Sequence, residues 1–174
     1  MSLLDRIKQN MGGLERGISE VIPGYNGYKQ KELRREADKL LRETLVTRLR
    51  TVSRELDALQ NDLISAGKID LLDEAGRAVT QLQTFIDRIR TASYGYGGLF
   101  DADRVKEEQL DQLYQFDAAL LDYVERLANA VSRARSEVAG DEARSLVLLV
   151  LDIAREANAT FDRRREVISQ TTEL

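Results

Sequence analysis

The sequence contains no cysteine, no histidine, no tryptophan and a single proline among 174 residues. Without cysteine there are no disulfides and no thiolate nucleophile, and without histidine there is no imidazole acid–base catalyst and little basis for a zinc or copper site. There is also no basic excess: 26 Lys and Arg stand against 30 Asp and Glu, a formal charge of −4, which argues against a dedicated nucleic-acid binder. The longest apolar run, Leu146 to Leu151, is far short of the roughly 20 residues that span a bilayer. The first residues lack the charged region and apolar core of a secretory signal, so the expectation is a soluble cytoplasmic protein. No phosphate loop, Rossmann fingerprint, nucleophile–base pair or Glu-x-x-His pair is present, so a non-enzymatic protein with no cofactor and no metal is expected.

What is present is helical periodicity. Leu4, Ile7, Met11, Leu14, Ile18 and Val21 alternate steps of three and four, an amphipathic helix over about residues 3–22 that Gly12, Gly13 and Gly17 weaken and Pro23 ends. It needs a surface to lie on: its own bundle, a second copy, or a membrane. A long helix follows from about Tyr28 to Ala66, about 57 Å at 1.5 Å per residue, with Leu33, Ala37, Leu40, Leu45, Leu49, Val52, Leu56, Leu59 and Leu63 on its stripe. Gly67 stops it and Asp70 is placed to cap the next, about Leu71 to Ala92. A third is expected over about Ala102 to Val138, and Gly140 with Asp141 repeats the stop and cap before a fourth that runs to about Ile168. Leu146 to Leu151 opens that last helix with apolar residues around the whole circumference, which predicts burial on all sides.

The second and third of these helices are separated by Ser93 to Asp101, where Gly95, Gly97 and Gly98 each cost a helix about 1 kcal/mol relative to alanine. Asp101 is a good N-cap, with Phe100 and Val105 spaced as a hydrophobic staple. Short corners make successive helices antiparallel. The expected fold is therefore all-α: an antiparallel bundle of four long helices (23–174) with an additional N-terminal amphipathic helix (1–22). That topology places the Pro23–Tyr28 corner, the Ser93–Asp101 corner and the end of the fourth helix at one pole, with Gly67 and Gly140 at the other. The shortness of the second helix leaves a flank of the first on which residues 3–22 can rest.

Candidate functional residues gather at the first pole. Tyr25, Tyr28, Tyr94 and Tyr96 can form a partner-recognition surface together with Phe100, Arg34 and Arg35, or the tyrosines can plug the end of the bundle with rings inward and hydroxyls wet. Lys29, Lys31, Arg34, Arg35, Lys39 and Arg42 form a basic cluster near an acidic one, Asp101, Asp103, Glu107, Glu108 and Asp111. These are either phosphate and cation contacts or mutually complementary charges. Asp117 falls on the core phase of its helix, where Phe116 is expected to take its place and turn the carboxylate to a flank. If the carboxylate stays inside, a basic side chain of the first long helix is the expected partner. Self-association is expected through Leu4, Ile7, Met11, Leu14 and Ile18, and through Val147, Leu148 and Leu151.

The run Pro23-Gly24-Tyr25-Asn26-Gly27-Tyr28, followed by Lys29 to Arg35, and the run Tyr94-Gly95-Tyr96-Gly97-Gly98-Leu99-Phe100-Asp101 together resemble the signature of a bacterial all-helical family without an assigned activity. The resemblance implies a cytoplasmic bacterial protein and carries over no functional residue. A fainter resemblance, over Met1 to about Val21 and the helical hairpin that follows, is to the plan of phage-shock protein A and its membrane-remodelling relatives. These observations predict a non-enzymatic, self-associating interaction or scaffold protein that shows its tyrosine–glycine pole to a protein partner. The alternatives are a peripheral membrane protein that uses residues 1–22 and a small-ligand or cation-binding bundle.

Overall fold

The three-and-four spacing of apolar residues becomes helix wherever glycine does not interrupt it. The computed structural model describes residues 2–9, 13–92 and 98–170, and it is all-helical, with no strand among those residues. The helices are α1 (Leu3–Lys8), α2 (Gly13–Val21), α3 (Lys31–Ser65), α4 (Leu72–Arg90), α5 (Glu107–Ser136) and α6 (Ala143–Ser169), with a single 3-10 turn, Ile69–Leu71, ahead of α4.

One continuous core runs through these elements. α3 contributes Leu41, Leu45, Leu49, Leu56, Leu59 and Leu63, all buried. Its stripe enters at Leu41, with Leu40 only half-buried. Each fully buried leucine contributes about 1.5–3 kcal/mol relative to an exposed one. α3 packs on α4 and α5, and α6 packs on the same two helices. Side-chain contacts give the directions. Arg42 near the start of α3 donates to the Ile89 carbonyl at the end of α4, so these two run oppositely. Arg135 at the end of α5 pairs with Asp62 at the end of α3 (2.8 Å), so those two run the same way. Arg144 reaches Asp70 and Glu74 at the start of α4, and Arg88 reaches Asp162 further along, so α4 and α6 are also co-directional. At one end Lys68 donates to the Gly140 carbonyl, and at the other the Leu99 amide donates to the Ile168 carbonyl (2.9 Å). The corner that holds Gly67 therefore meets Gly140, and the residues ahead of α5 meet the end of α6.

Several boundaries differ from expectation, each because a residue is otherwise engaged. α3 begins at Lys31 instead of Tyr28, since the Tyr28 amide is held by the Tyr114 hydroxyl and its carbonyl by Arg34. α5 begins at Glu107 instead of Ala102. Asp101 does not cap it, because that carboxylate pairs with Arg35 (2.8 Å), and Arg34 holds the carbonyls of Leu99 and Ala102 out of helical register. Asp70 likewise pairs with Arg144 instead of capping α4. Gly67 ends α3 as expected: the Lys68 amide bonds the Leu63 carbonyl and the Gly67 amide bonds Ile64. α5 stops at Ser136, four residues ahead of Gly140, and Asp141 caps nothing. The opening of α6 is not buried all round, since Leu148 and Leu149 are exposed while Leu146, Val147, Val150 and Leu151 face the core.

The N-terminal segment is two helices, not one, and it lies on α5 instead of on a flank of α3. Gly17 explains the fold-back. A Cβ at that position would stand 2.7 Å from Ile7 Cγ2 and 2.8 Å from the Ile7 carbonyl oxygen, so only glycine lets α1 cross α2 this closely. A capping box between Ser2 and Asp5 starts α1, and the buried Asp122 of α5 accepts from the Leu4 amide (3.2 Å).

Candidate functional site

The pole where α3 begins and α6 ends is built around a carboxylate with no solvent exposure. Asp117 sits one helical turn beyond Leu113 on α5, on the core face, and it is not turned aside by Phe116, which is the half-buried neighbour. Its partners come from three directions. Tyr25 and Tyr28, on the corner ahead of α3, both donate to Oδ2, Tyr25 at 3.1 Å and Tyr28 through a shorter bond. Arg164, from the far end of α6, donates from Nε to Oδ1 at 2.7 Å and from Nη2 to the Tyr28 hydroxyl at 3.1 Å. The principal basic partner is therefore on the last helix, not on the first long one.

α3 contributes a second carboxylate. Asp38 is buried, with Oδ1 2.8 Å from Arg164 Nη1, an ion pair whose angle is not that of a hydrogen bond, and Oδ2 accepting from Arg42 Nε at 2.9 Å. Two acids and two arginines thus alternate along a chain from Asp117 through Arg164 and Asp38 to Arg42, which alone reaches the surface. Charges buried this way contribute little net stability but are costly to break, because removing one partner strands another.

Rings close the site from above. Tyr28 packs edge-on against Tyr25 at 5.8 Å between centroids, lies near-parallel to Phe100 at 6.1 Å and is tilted on Tyr114 at 5.4 Å. Tyr114 in turn donates to Glu15 of α2, tying the N-terminal helices to the cluster. Closing the corner from the other side requires Gly98, with φ of +72° and a position where a Cβ would strike the Ile168 carbonyl oxygen at 2.5 Å.

The electrostatics follow from burial. Desolvation pushes the Asp117 carboxyl up, against the opposing pull of the Arg164 charge and the Tyr28 hydrogen bond. Tyr25 and Tyr28 are raised, by burial first and by the Asp117 charge second, and Tyr114 is raised by burial. All three phenols are therefore hydrogen-bond donors and not bases at neutral pH. Chemically, the arrangement is a sealed lock. Asp117, Arg164 and Tyr28 have no exposed surface, so a reactant reaches them only if the helices part.

Of the residues read as a recognition surface, Tyr25, Tyr28, Phe100 and Arg34 are interior; the Tyr25 and Tyr28 rings face inward as in the plug alternative, but their hydroxyls are buried on Asp117 instead of wet, and Tyr94 and Tyr96 lie outside the described residues. Arg35 remains exposed, stacked 5.8 Å from the Phe100 centroid. Lys31 pairs with Asp103 (2.7 Å) and Arg35 with Asp101, so at these positions the basic and acidic clusters face one another. Among the described residues no group of acidic side chains is arranged to hold a metal ion. Of the residues read as self-associating, Ile7, Ile18, Val147 and Leu151 are buried within the chain, Leu4 and Leu14 are half-buried, and Met11 lies outside the described residues. Leu148 alone stays exposed. It is joined by Leu149, Ile64 and Ile69, and these four are the large apolar side chains exposed among the described residues. All of them belong to the end of α3, the corner after it, or the first turns of α6, at the Gly67/Gly140 pole.

Arg164 and Asp38 were missed in the sequence, although a signal was there. Arg164 interrupts the series Ala157, Phe161, Ile168 on α6 just as Asp117 interrupts the series on α5, and two opposite charges on facing stripes are a pair to be matched. No family model, no curated protein and no solved structure matches the chain, so no residue role is carried over from a relative.

Proposed function

We propose that the protein is a non-enzymatic interaction or scaffold protein: an antiparallel bundle of four long helices with residues 1–22 strapped to it, which self-associates through its Gly67/Gly140 pole. The observation that carries this reading is the segregation of exposed apolar side chains. Ile64, Ile69, Leu148 and Leu149 lie at the end opposite the tyrosine corners, and exposed apolar groups collected in one region mark protein–protein contact surfaces. The tyrosine pole serves the fold, holding the helices in register so that the opposite end is presented rigidly. Contact between the same end of two copies is the commonest basis of a symmetric dimer.

A membrane role through residues 3–22 is less well supported, because Leu3, Ile7, Ile18 and Ile22 are buried inside the protein. No described helix is long and apolar enough to cross a membrane. The test is light-scattering mass as a function of concentration. The full chain is expected to exceed the 19.7 kDa of one chain, and the double variant Ile69→Asp/Leu148→Asp to return to that mass with unchanged helical circular dichroism. A wild-type monomer at every concentration refutes the reading. Co-sedimentation with liposomes that is lost on removing residues 1–22 would favour the membrane alternative.

A further inference from the structure

The face formed by α3 and α4 carries a feature that self-association at the Gly67/Gly140 pole does not use. A groove of about 560 Å³ runs between the two helices, lined by Lys39, Arg42, Arg50 and Arg90, with Val46 at its base. It continues past Arg50 and Arg90 into a second hollow of about 310 Å³ lined by Arg54 and, on the α4 side, by Gln83, Ile86 and Asp87. Four cations of α3, Lys39, Arg42, Arg50 and Arg54, therefore follow one another along about 23 Å of helix, with Arg90 of α4 facing them; the acids lining the groove are Glu43 and Asp87, and Arg42 is paired with Asp38 beneath it. In a chain of net charge −4 this is a local inversion of sign.

These cations are poorly satisfied within the molecule. Arg50 makes no ion pair among the described residues. Lys39 stands 3.9 Å from Glu43 and Arg90 stands 3.5 Å from Asp87, both exposed pairs of the kind that yields to a better acceptor. Among the described residues Arg54 reaches only the Thr51 hydroxyl. Arg42 differs: its Nε is committed to Asp38, so it is a fixed wall and not a mobile contact.

From this we propose that the α3/α4 groove is a docking site for an acidic amphipathic helical segment of a partner protein. Charge complementarity selects the sign, because each guanidinium in the row can donate two parallel hydrogen bonds to a carboxylate. Val46 and Ile86 are almost wholly covered, so the apolar side chains of the occupant meet the aliphatic stems of Lys39, Arg50 and Arg90 that overlie them. Shape and sign also weigh against the other anionic surfaces. A bilayer is flat and meets only the rims of a groove. A nucleic-acid backbone carries uniform negative charge, so it is repelled by Glu43 and Asp87 and by the net charge of the protein, whereas a polypeptide can place a lysine opposite those two.

The experiment uses the full chain and a fluorescein-labelled helical peptide with glutamates on one face and leucines on the other, read by anisotropy. Binding is expected to exceed that of the same peptide with glutamine for glutamate by at least tenfold and to weaken as salt is raised. It is also expected to fall at least tenfold in Arg50→Glu/Arg90→Glu, with Arg54→Glu giving a smaller loss and a melting curve like that of the wild type. Charge reversal at Arg163, on α6 away from the groove, is expected to change little. Equal binding of the glutamate and glutamine peptides overturns the proposal. So does tighter binding of a single-stranded oligonucleotide or of phosphatidylserine-containing vesicles, if that binding is abolished by the same double variant. Neither result bears on the mass measurement above, so the two readings fail separately.

Discussion

Arg164 and Asp117 are separated by 47 positions in the chain, yet the Nε of one lies 2.7 Å from the Oδ1 of the other with neither side chain touching solvent. That contact joins the end of α6 to the start of α5. Through Asp38 and Tyr28 it reaches α3 and the corner ahead of it, so four separate segments meet on one guanidinium.

Replacing Arg164 by methionine keeps most of the volume but leaves the buried Asp117 without a counter-charge and Asp38 with Arg42 alone. The expected loss is about 3–5 kcal/mol of unfolding free energy, the range for removing one partner from a buried ion pair. Asp117→Asn, which keeps the shape and leaves Arg164 its contact with Asp38, is expected to cost less. Urea unfolding followed by circular dichroism measures both, and an Arg164→Met protein as stable as the wild type would show the lock to be dispensable.

High pH attacks the same site through the phenols. The folded-state values of Tyr25, Tyr28 and Tyr114 lie above the ordinary 10.0, so the folded protein holds these protons more tightly than the unfolded chain does. Their stabilising contribution is complete below pH 10 and is lost as the pH climbs beyond it. Phenolate absorbance is therefore expected to show a late step that coincides with loss of helical signal, and Tyr25→Phe with Tyr28→Phe to shrink that step.

Low pH acts on the N-terminal strap as well. Hydrogen bonds from Ser2 hold the Asp5 carboxyl below its ordinary 3.8. Because the folded value is depressed, the capping box is intact above that pH and is lost as the pH falls through the depressed value. Amide chemical shifts of residues 3–8 are expected to move toward coil values in that range, and Asp5→Asn to remove the pH dependence.

The crossing of α1 over α2 depends on one missing side chain. Gly17→Ala places a methyl against Ile7 at a distance no packed structure tolerates, and overpacking of this kind costs about 1–3 kcal/mol. Hydrogen exchange is expected to show faster exchange in α1 with the long helices unchanged. Equal protection in the variant would mean that α1 can shift without penalty.

Much of this architecture can be read from the apolar stripes: the long helices, Gly67 as a stop, and the meeting of the two corners at one pole follow from spacing and short connections. What is not legible is where polar groups are diverted. Asp101 and Asp70 have the chemistry of caps, and only the fold reveals that Arg35 and Arg144 claim them. The glycines of the N-terminal segment read as weak helix, whereas one of them marks a crossing. Asp117 looked like a residue to be turned outward because one stripe was read at a time. The charge that satisfies it, Arg164, interrupts a different stripe, and nothing local links the two.

The buried cluster also fixes an order of events during synthesis. Tyr28 and Arg164 are separated by 136 positions, so the ribosome has made α3, α4 and α5 before the guanidinium that binds Tyr28 exists. Until then Asp117 and Asp38 stay hydrated and the first hairpin has nothing to fasten it to the second. A nascent chain that lacks α6 therefore leaves uncovered the faces of α4 and α5 on which that helix packs.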